Sequence, residues 1–299
     1  MHTLTIFTPA YNRAHTIGRT YESLCNQTCK DFEWLIIDDG SSDNTKEIVE
    51  KWIKDDVIPI RYIYQDNQGM HGAHNTAYKN IKTELVTWVD SDDWMPHDAV
   101  EKIINFWKAN GSDKYAGFAG LDQTPDGKII GMGFPKDMEH TTYYGYHDKG
   151  GYGDKKIVYR TNVITKYPEY PIFEGEKYLG LAYKFMLVDK DYELLTLNEP
   201  LVTVEYQQDG SSFGMWKQYW NNPKGFAFFR KTEMLATHRL KRKFIVCAHY
   251  VSSCIISKQW DYVKKSPLKF LTIIATPIGI ALYYRIRYKV RKNALMQIK

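Results

Sequence analysis

The chain has 299 residues, enough to bury a sizeable core in one large domain or two. Its aromatic content of 15% suits either a Tyr-rich core or a site where flat, hydroxylated ligands stack. The net charge of +5 is unevenly spread: residues 238–299 carry 14 Lys and Arg against one acid, and the rest carries 26 against 34. The basic residues flank an apolar stretch instead of covering a polar face with stacking aromatics, which argues against a nucleic-acid partner and for an anionic membrane surface.

In chain order, Leu4 to Thr8 predicts a strand, and Thr16 to Thr28 a helix with Ile17, Tyr21, Leu24 and Cys25 on one face. Glu33 to Asp38 predicts a second strand, and Thr45 to Ile53 a helix capped by Ser42 and Asp43. A third strand follows at Ile60 to Tyr64, a helix at Met70 to Ile81, and a fourth strand at Leu85 to Val89. Pro96 opens a helix from His97 to about Lys108. Strands alternating with helices imply a mostly parallel sheet covered on two faces.

Beyond residue 110 the pattern changes. Tyr115 to Leu121 and Lys128 to Met132 read as strands around the turn Thr124-Pro125-Asp126-Gly127, and residues 140–153 as a Tyr-, His- and Gly-rich loop. A helix is expected over Glu176 to Leu187, and two short strands over 194–197 and 201–206. From Phe213 onward the pattern is helical and aromatic. Near the end, the apolar run Phe270 to Tyr284 is interrupted by Pro277 and Gly279 and flanked by Lys264, Lys265 and Arg285 to Lys292. Fifteen residues fall short of the roughly twenty that span a bilayer, and cations at both ends argue against translocation. A helix or helix pair lying in the cytoplasmic leaflet interface is expected, with an ordinary core helix as the competing reading.

The four cysteines, Cys25, Cys29, Cys247 and Cys254, have no second pair at zinc-like spacing and are expected to be free thiols in a reducing compartment. Met1 runs straight into a strand with no signal-peptide pattern, so the catalytic part is expected in the cytoplasm.

The most informative segment is Val89-Asp90-Ser91-Asp92-Asp93, an acid cluster at the carboxyl end of the fourth strand. Carboxylates placed there suit a hard divalent ion that shares its shell with phosphates. Three more segments end consecutive strands: Thr8-Pro9-Ala10-Tyr11-Asn12, Asp38-Asp39-Gly40-Ser41-Ser42-Asp43 and Asp66-Asn67-Gln68-Gly69. Singly, each reads equally well as a turn or a helix cap. Four on one edge are harder to dismiss, and they point to a metal carrying a diphosphate.

On the strings Phe32 to Asp43 and Trp88 to Asp93, the chain resembles family 2 glycosyltransferases of the GT-A fold, over about residues 1–210. The resemblance implies an α/β fold: a Rossmann-like, nucleotide-binding mixed sheet with helices on both faces, here followed by a C-terminal helical, basic, membrane-associating region. It divides the chain into a nucleotide-sugar half at 1–110, an acceptor half at 111–212 and the helical region at 213–299. It implies inverting transfer from a UDP-sugar with Mn²⁺ or Mg²⁺. Pro9, Ala10 and Tyr11 would pack on the base, with Tyr11 stacking, and Asp39 would accept from a base N–H while Asp38 braces the loop. Asn67 and Gly69 would lie near the nucleotide. Asp92 would hold the metal directly, and Asp90 would face the ribose or a metal-bound water. His74 and Asn75 fall where the family often has a basic residue followed by Asn.

The base that deprotonates the acceptor is expected at Glu176, with Glu174 second, within Phe173-Glu174-Gly175-Glu176-Lys177. A helix cap is the competing role of that carboxylate. Residues 206–212 resemble a loop that folds over diphosphate or acceptor in some relatives, or form a plain turn. The Gln-x-x-Arg-Trp signature of processive synthases is missing around Met215-Trp216-Lys217, so transfer of single sugars is expected. The anticipated acceptor is a saccharide, lipid-linked, in cell-surface polysaccharide synthesis, with the enzyme peripheral on the inner face of the cell membrane. A nucleotidyltransferase acting on sugar phosphates would normally show a Gly-rich, basic loop after the first strand, which residues 8–20 lack. A non-catalytic binding protein of the same fold is the third reading.

Overall fold

The computed structural model describes residues 2–205 and 214–296, with side chains as far as residue 292. The first elements are β1 (Leu4–Ala10), α1 (Ile17–Cys25), β2 (Phe32–Asp38), α2 (Thr45–Asp55), β3 (Ile60–Tyr64), α3 (Met70–Asn80), β4 (Leu85–Trp88) and α4 (Ala99–Asn110). There follow β5 (Tyr115–Gln123), β6 (His140–Thr141), α5 (Tyr143–Asp148), β7 (Lys155–Arg160), α6 (Thr161–Ile164), α7 (Ala182–Val188) and β8 (Glu193–Thr203). Helices complete the chain: α8 (Met215–Asn221), α9 (Pro223–Ala236), α10 (Leu240–Ile256), α11 (Tyr262–Lys265) and α12 (Lys269–Met296). Residues 2–169 with 187–205 form one compact unit, and residues 170–186 with 214–296 form another.

The first unit is built on an eight-stranded sheet in the order β3-β2-β1-β4-β7-β5-β8-β6. All seven residues of β1 are buried, as required of a strand covered on both faces. Leu4, Ile6 and Ala10 join a core with Ile17 and Leu24 of α1, Val49 of α2 and Ile103 of α4. On the alternate side, the Phe7 ring meets His74 and Tyr78 of α3 at 4.7 and 5.6 Å. Each such fully buried side chain contributes about 1.5–3 kcal/mol.

β1, β2, β3 and β4 are mutually parallel, while β7 runs antiparallel to both β4 and β5, and β5 is parallel to β8. The carboxyl ends of β1, β2, β3, β4, β5 and β8 therefore share one edge of the sheet. The amino end of β7 lies on that same edge.

The early elements match their sequence expectations to within a few residues. The later ones differ. Lys128 to Met132 forms only an isolated bridge between Gln123 and Ile129. The two short strands expected near 194–206 are one strand, β8, whose pairing with β5 absorbs the interruption through register shifts. Residues 140–153 contain β6 and α5, the latter started by Thr142, whose hydroxyl accepts from the Gly145 N–H at 2.9 Å. The helix expected from Glu176 begins only at Ala182. β7 has no counterpart among the expected elements.

In the second unit α9, α10 and α12 pack through Ala227, Met234, Val246, Cys247, Tyr250 and Ala275. Glu233 is fully buried between Arg230 and Arg242. Burial alone would raise its carboxyl, but the two guanidinium groups reverse this and hold it below the ordinary value. All four cysteines are free thiols, with Cys247 and Cys254 buried. α12 runs without a break through Pro277, so the apolar stretch is one helix.

Candidate functional site

Two loops at the carboxyl edge are laced together. Asn12 takes φ 53°, and its side-chain oxygen accepts from the Ser42 N–H at 2.8 Å. Its own N–H donates to the Ser41 hydroxyl at 2.8 Å, and the Ala14 N–H donates to Asp43 at 3.0 Å. Asn tolerates this left-handed conformation, which turns the chain sharply after β1. Pro9 and Ala10 are buried at the end of the strand, whereas the Tyr11 ring beyond them is 50% exposed. An exposed ring next to a rigid turn suits a flat ligand.

Asp38 and Asp39 are both buried, and both brace the scaffold. Asp38 accepts from the Ser41 N–H at 2.8 Å and the Tyr62 hydroxyl at 2.6 Å. Asp39 accepts from Gln65 Nε2 at 2.7 Å and from the N–H groups of Gln68 and Gly69 at 2.8 and 2.7 Å. The sequence assigned bracing to Asp38 alone. Here Asp39 holds the loop that carries Asn67 and Gly69. Gly40, at φ 85°, lies so close to that loop that a Cβ would stand 2.9 Å from the Asn67 nitrogen. His74 and Asn75 are buried on α3, and the His74 ring lies against Phe7, Trp88 and Tyr78.

The acid cluster follows β4. Asp90 and Asp92 are half-buried, and Ser91 and Asp93 are buried. The loop is held from α1: Arg19 donates to the Asp92 carbonyl at 3.2 Å and Thr20 to the Asp93 carbonyl at 2.7 Å. Arg19 also pairs with Glu205, whose N–H donates to Asp93 Oδ1 at 3.3 Å. Burial pushes the Asp90 carboxyl up; the Lys156 ammonium opposes this, and Asp92 adds to it. Asp93 is raised to about 8 by burial and by the Asp90 charge.

Asp90 Oδ1 is buried without a hydrogen-bond partner among the described residues. A lone carboxylate oxygen in that state fits a hard cation. Among the described residues no group of three or more His, Cys, Asp or Glu could hold a metal ion. Mg²⁺ and Mn²⁺ ordinarily take one or two protein carboxylates, with phosphates completing the shell.

Residues that sequence reasoning missed stand next along the edge. Lys156, at the amino end of β7, is buried and donates to the Trp88 carbonyl at 2.9 Å, with its ammonium 4.7 Å from the Trp88 ring centroid. Asp122, near the end of β5, is 5% exposed, with Oδ1 unpartnered among the described residues. Burial raises it to about 6, against the pull of Lys156. The signal for β7 was the β-forming run Ile157-Val158-Tyr159 behind Gly153. A separate groove lined by Thr83, Glu84, Trp107, Asp113 and Arg160 opens at the opposite edge, away from these acids.

Glu176 and Glu174 belong to the second unit. Glu176 is 7% exposed and precedes no helix of its own. Instead it caps α9: Oε1 accepts from the Lys224 N–H at 2.9 Å and Oε2 from the Gly225 N–H at 2.8 Å. Burial raises its carboxyl, and the two N–H bonds work against that. Glu174 is exposed in the same turn. The expected loop at 206–212 lies outside the described residues.

The family model for glycosyl transferase family 2 matches residues 5–161. Among relatives, poly(ribitol-phosphate) β-N-acetylglucosaminyltransferase TarP of Staphylococcus aureus is 27% identical over 223 residues, covering 73% of this chain and 62% of TarP. Glycosyltransferase GlyA of Streptococcus pneumoniae is 37% identical over 100 residues, covering 33% of this chain and 14% of GlyA. The chain thus spans less than two thirds of either relative. Among solved structures, S. aureus TarS (residues 1–349, in complex with UDP-GlcNAc) superposes with a TM-score of 0.64 at 18% identity, covering 98% of this chain and 92% of that one. Mannosyltransferase PcManGT from Pyrobaculum calidifontis, in complex with GDP-Man and Mn²⁺, superposes with a TM-score of 0.57 at 15% identity, covering 98% and 84%. Both likenesses are of fold.

Proposed function

This chain belongs to glycosyl transferase family 2, and we propose that it transfers a sugar from a UDP-sugar to a hydroxyl of a saccharide acceptor, with inversion. The observation that carries this reading is the acid loop Asp90 to Asp93, fixed by Arg19 and Thr20 beside the exposed Tyr11 on one sheet edge. Tyr11 stacks on the base, flanked by Pro9 and Ala10. Asp39 acts on the nucleotide through the loop it holds, which presents Asn67 and Gly69. Asp92 and Asp90 hold Mn²⁺ or Mg²⁺ together with the diphosphate. A divalent ion there stabilises the negative charge that grows on the leaving diphosphate.

The acceptor oxygen attacks the anomeric carbon from the side opposite the diphosphate. The bond to the diphosphate breaks, and UDP leaves with the electron pair. The acceptor proton passes to a carboxylate, which we assign to Glu176, with Glu174 in the same turn as the second choice. Burial makes Glu176 more basic than a solvated carboxylate, and two N–H bonds fix its orientation. The acceptor is a lipid-linked saccharide of a cell-surface polysaccharide, reached from the cytoplasmic side of a membrane. The relation to TarP supports a cell-surface polymer as the destination of the sugar, and the basic, apolar C-terminal region supports the membrane side.

The test is release of nucleoside diphosphate from UDP- and GDP-sugars with and without Mn²⁺. Metal-dependent UDP release is expected, and Asp92→Asn should lower it by about a hundredfold or more. Unchanged release by that variant would remove the metal assignment.

A further inference from the structure

We propose that the solvent-facing side of α12 is a lipid-binding surface that lies in the headgroup region of an anionic bilayer. This deepens the membrane reading above, and it stands on α12 alone, independent of sugar transfer. One side of the helix is committed to the protein. Thr272, Ala275 and Ile286 are buried, and Gly279 is so close to α10 that a Cβ would stand 2.6 Å from that of Val251.

The other side carries large apolar groups in the open. Phe270 is 78% exposed, Ile274 49%, Ile278 54% and Tyr284 61%, with Ile273 and Ile280 alongside. Phe270, Ile274 and Ile278 repeat every four residues and Tyr284 lies about four turns from Phe270, so all face the side away from Thr272, Ala275, Gly279 and Ile286, over about 21 Å from Phe270 to Tyr284. A soluble surface does not ordinarily leave such a stripe in water.

Charge identifies the occupant. Lys264, Lys265 and Lys269 stand at one end, and Arg285, Arg287, Lys289, Arg291 and Lys292 at the other, with no acid after Asp261. A second copy of this chain would bring the same positive field and be repelled. Anionic phospholipid headgroups are drawn to the cations while the stripe enters the acyl boundary beneath them. Spanning is disfavoured, because α10 occupies one side of the helix and both ends are basic.

The experiment is flotation of the full chain with vesicles of phosphatidylcholine alone or mixed with phosphatidylglycerol. Binding to the anionic vesicles only is expected, released by high salt. A Phe270→Ser/Ile274→Ser/Ile278→Ser variant and, separately, an Arg287→Glu/Arg291→Glu variant should each lower vesicle affinity by about tenfold or more. Metal-dependent hydrolysis of the donor and the melting temperature serve as controls for folding, and both should stay as in the parent. The proposal is overturned by a folded parent that ignores anionic vesicles, by binding unaffected by the apolar substitutions, or by a concentration-dependent dimer abolished by those substitutions without any vesicle binding. Retention in the membrane after salt and alkaline washing also overturns it, in favour of a span.

Discussion

The Lys156 ammonium donates to the Trp88 carbonyl at 2.9 Å, placing a buried cation under the last residue of β4, just ahead of Asp90. It is the leading favourable charge on Asp90 and Asp122. Lys156→Met removes a charge-assisted hydrogen bond to that carbonyl, and the expected loss is about 1–3 kcal/mol in urea unfolding. With one positive charge gone, Mn²⁺ should raise the melting temperature more in the variant than in the parent. An equal or smaller metal effect would show that Lys156 does not act on the metal site.

Tyr11 makes its contribution outside the core. Because half of the side chain is exposed, Tyr11→Ala should change stability by no more than about 0.5 kcal/mol. Loss of stacking should raise KM for the UDP-sugar by about tenfold, with a smaller change in kcat. A KM equal to the parent's would place the base elsewhere.

Glu176 and Glu174 can be separated by pairing stability with transfer. Glu176→Ala strips two N–H groups of α9 of their acceptor and should cost about 1–2 kcal/mol. Transfer to an acceptor should fall at least about a hundredfold, beyond what the fraction unfolded explains. Glu174→Gln should leave the melting temperature unchanged. If Glu174→Gln alone abolishes transfer, Glu176 is a helix cap and Glu174 is the base.

His249 makes stability depend on pH. Burial, helped by Arg230 and Arg242, depresses it from 6.5 to about 4. A depressed His favours the neutral form in the native state, so on acidification the unfolded chain takes up the proton first. Stability from this group is fully present above pH 6.5 and is lost as pH falls towards 4. Urea midpoints should decline across that window in the parent and decline less in His249→Phe. Equal slopes would remove the assignment.

The first four strands and their loops were legible in the sequence because their signals are local. Apolar runs such as Leu35-Ile36-Ile37 form buried strands, and the polar residues that follow them must emerge at one edge of a parallel sheet. That logic alone puts Tyr11, Asp39, Asn67, Asp90 and Asp92 on one edge. Tertiary structure decided what lies beside them. β7 enters between β4 and β5 in the opposite direction, and only that pairing brings Lys156 to the end of β4, where its charge acts on Asp90 and Asp122. Glu176 likewise spends its oxygens on Lys224 and Gly225, nearly fifty residues onward, a partnership that no local periodicity encodes. Strand direction and helix capping across such separations depend on which surfaces bury best together, and that is a property of the folded chain as a whole.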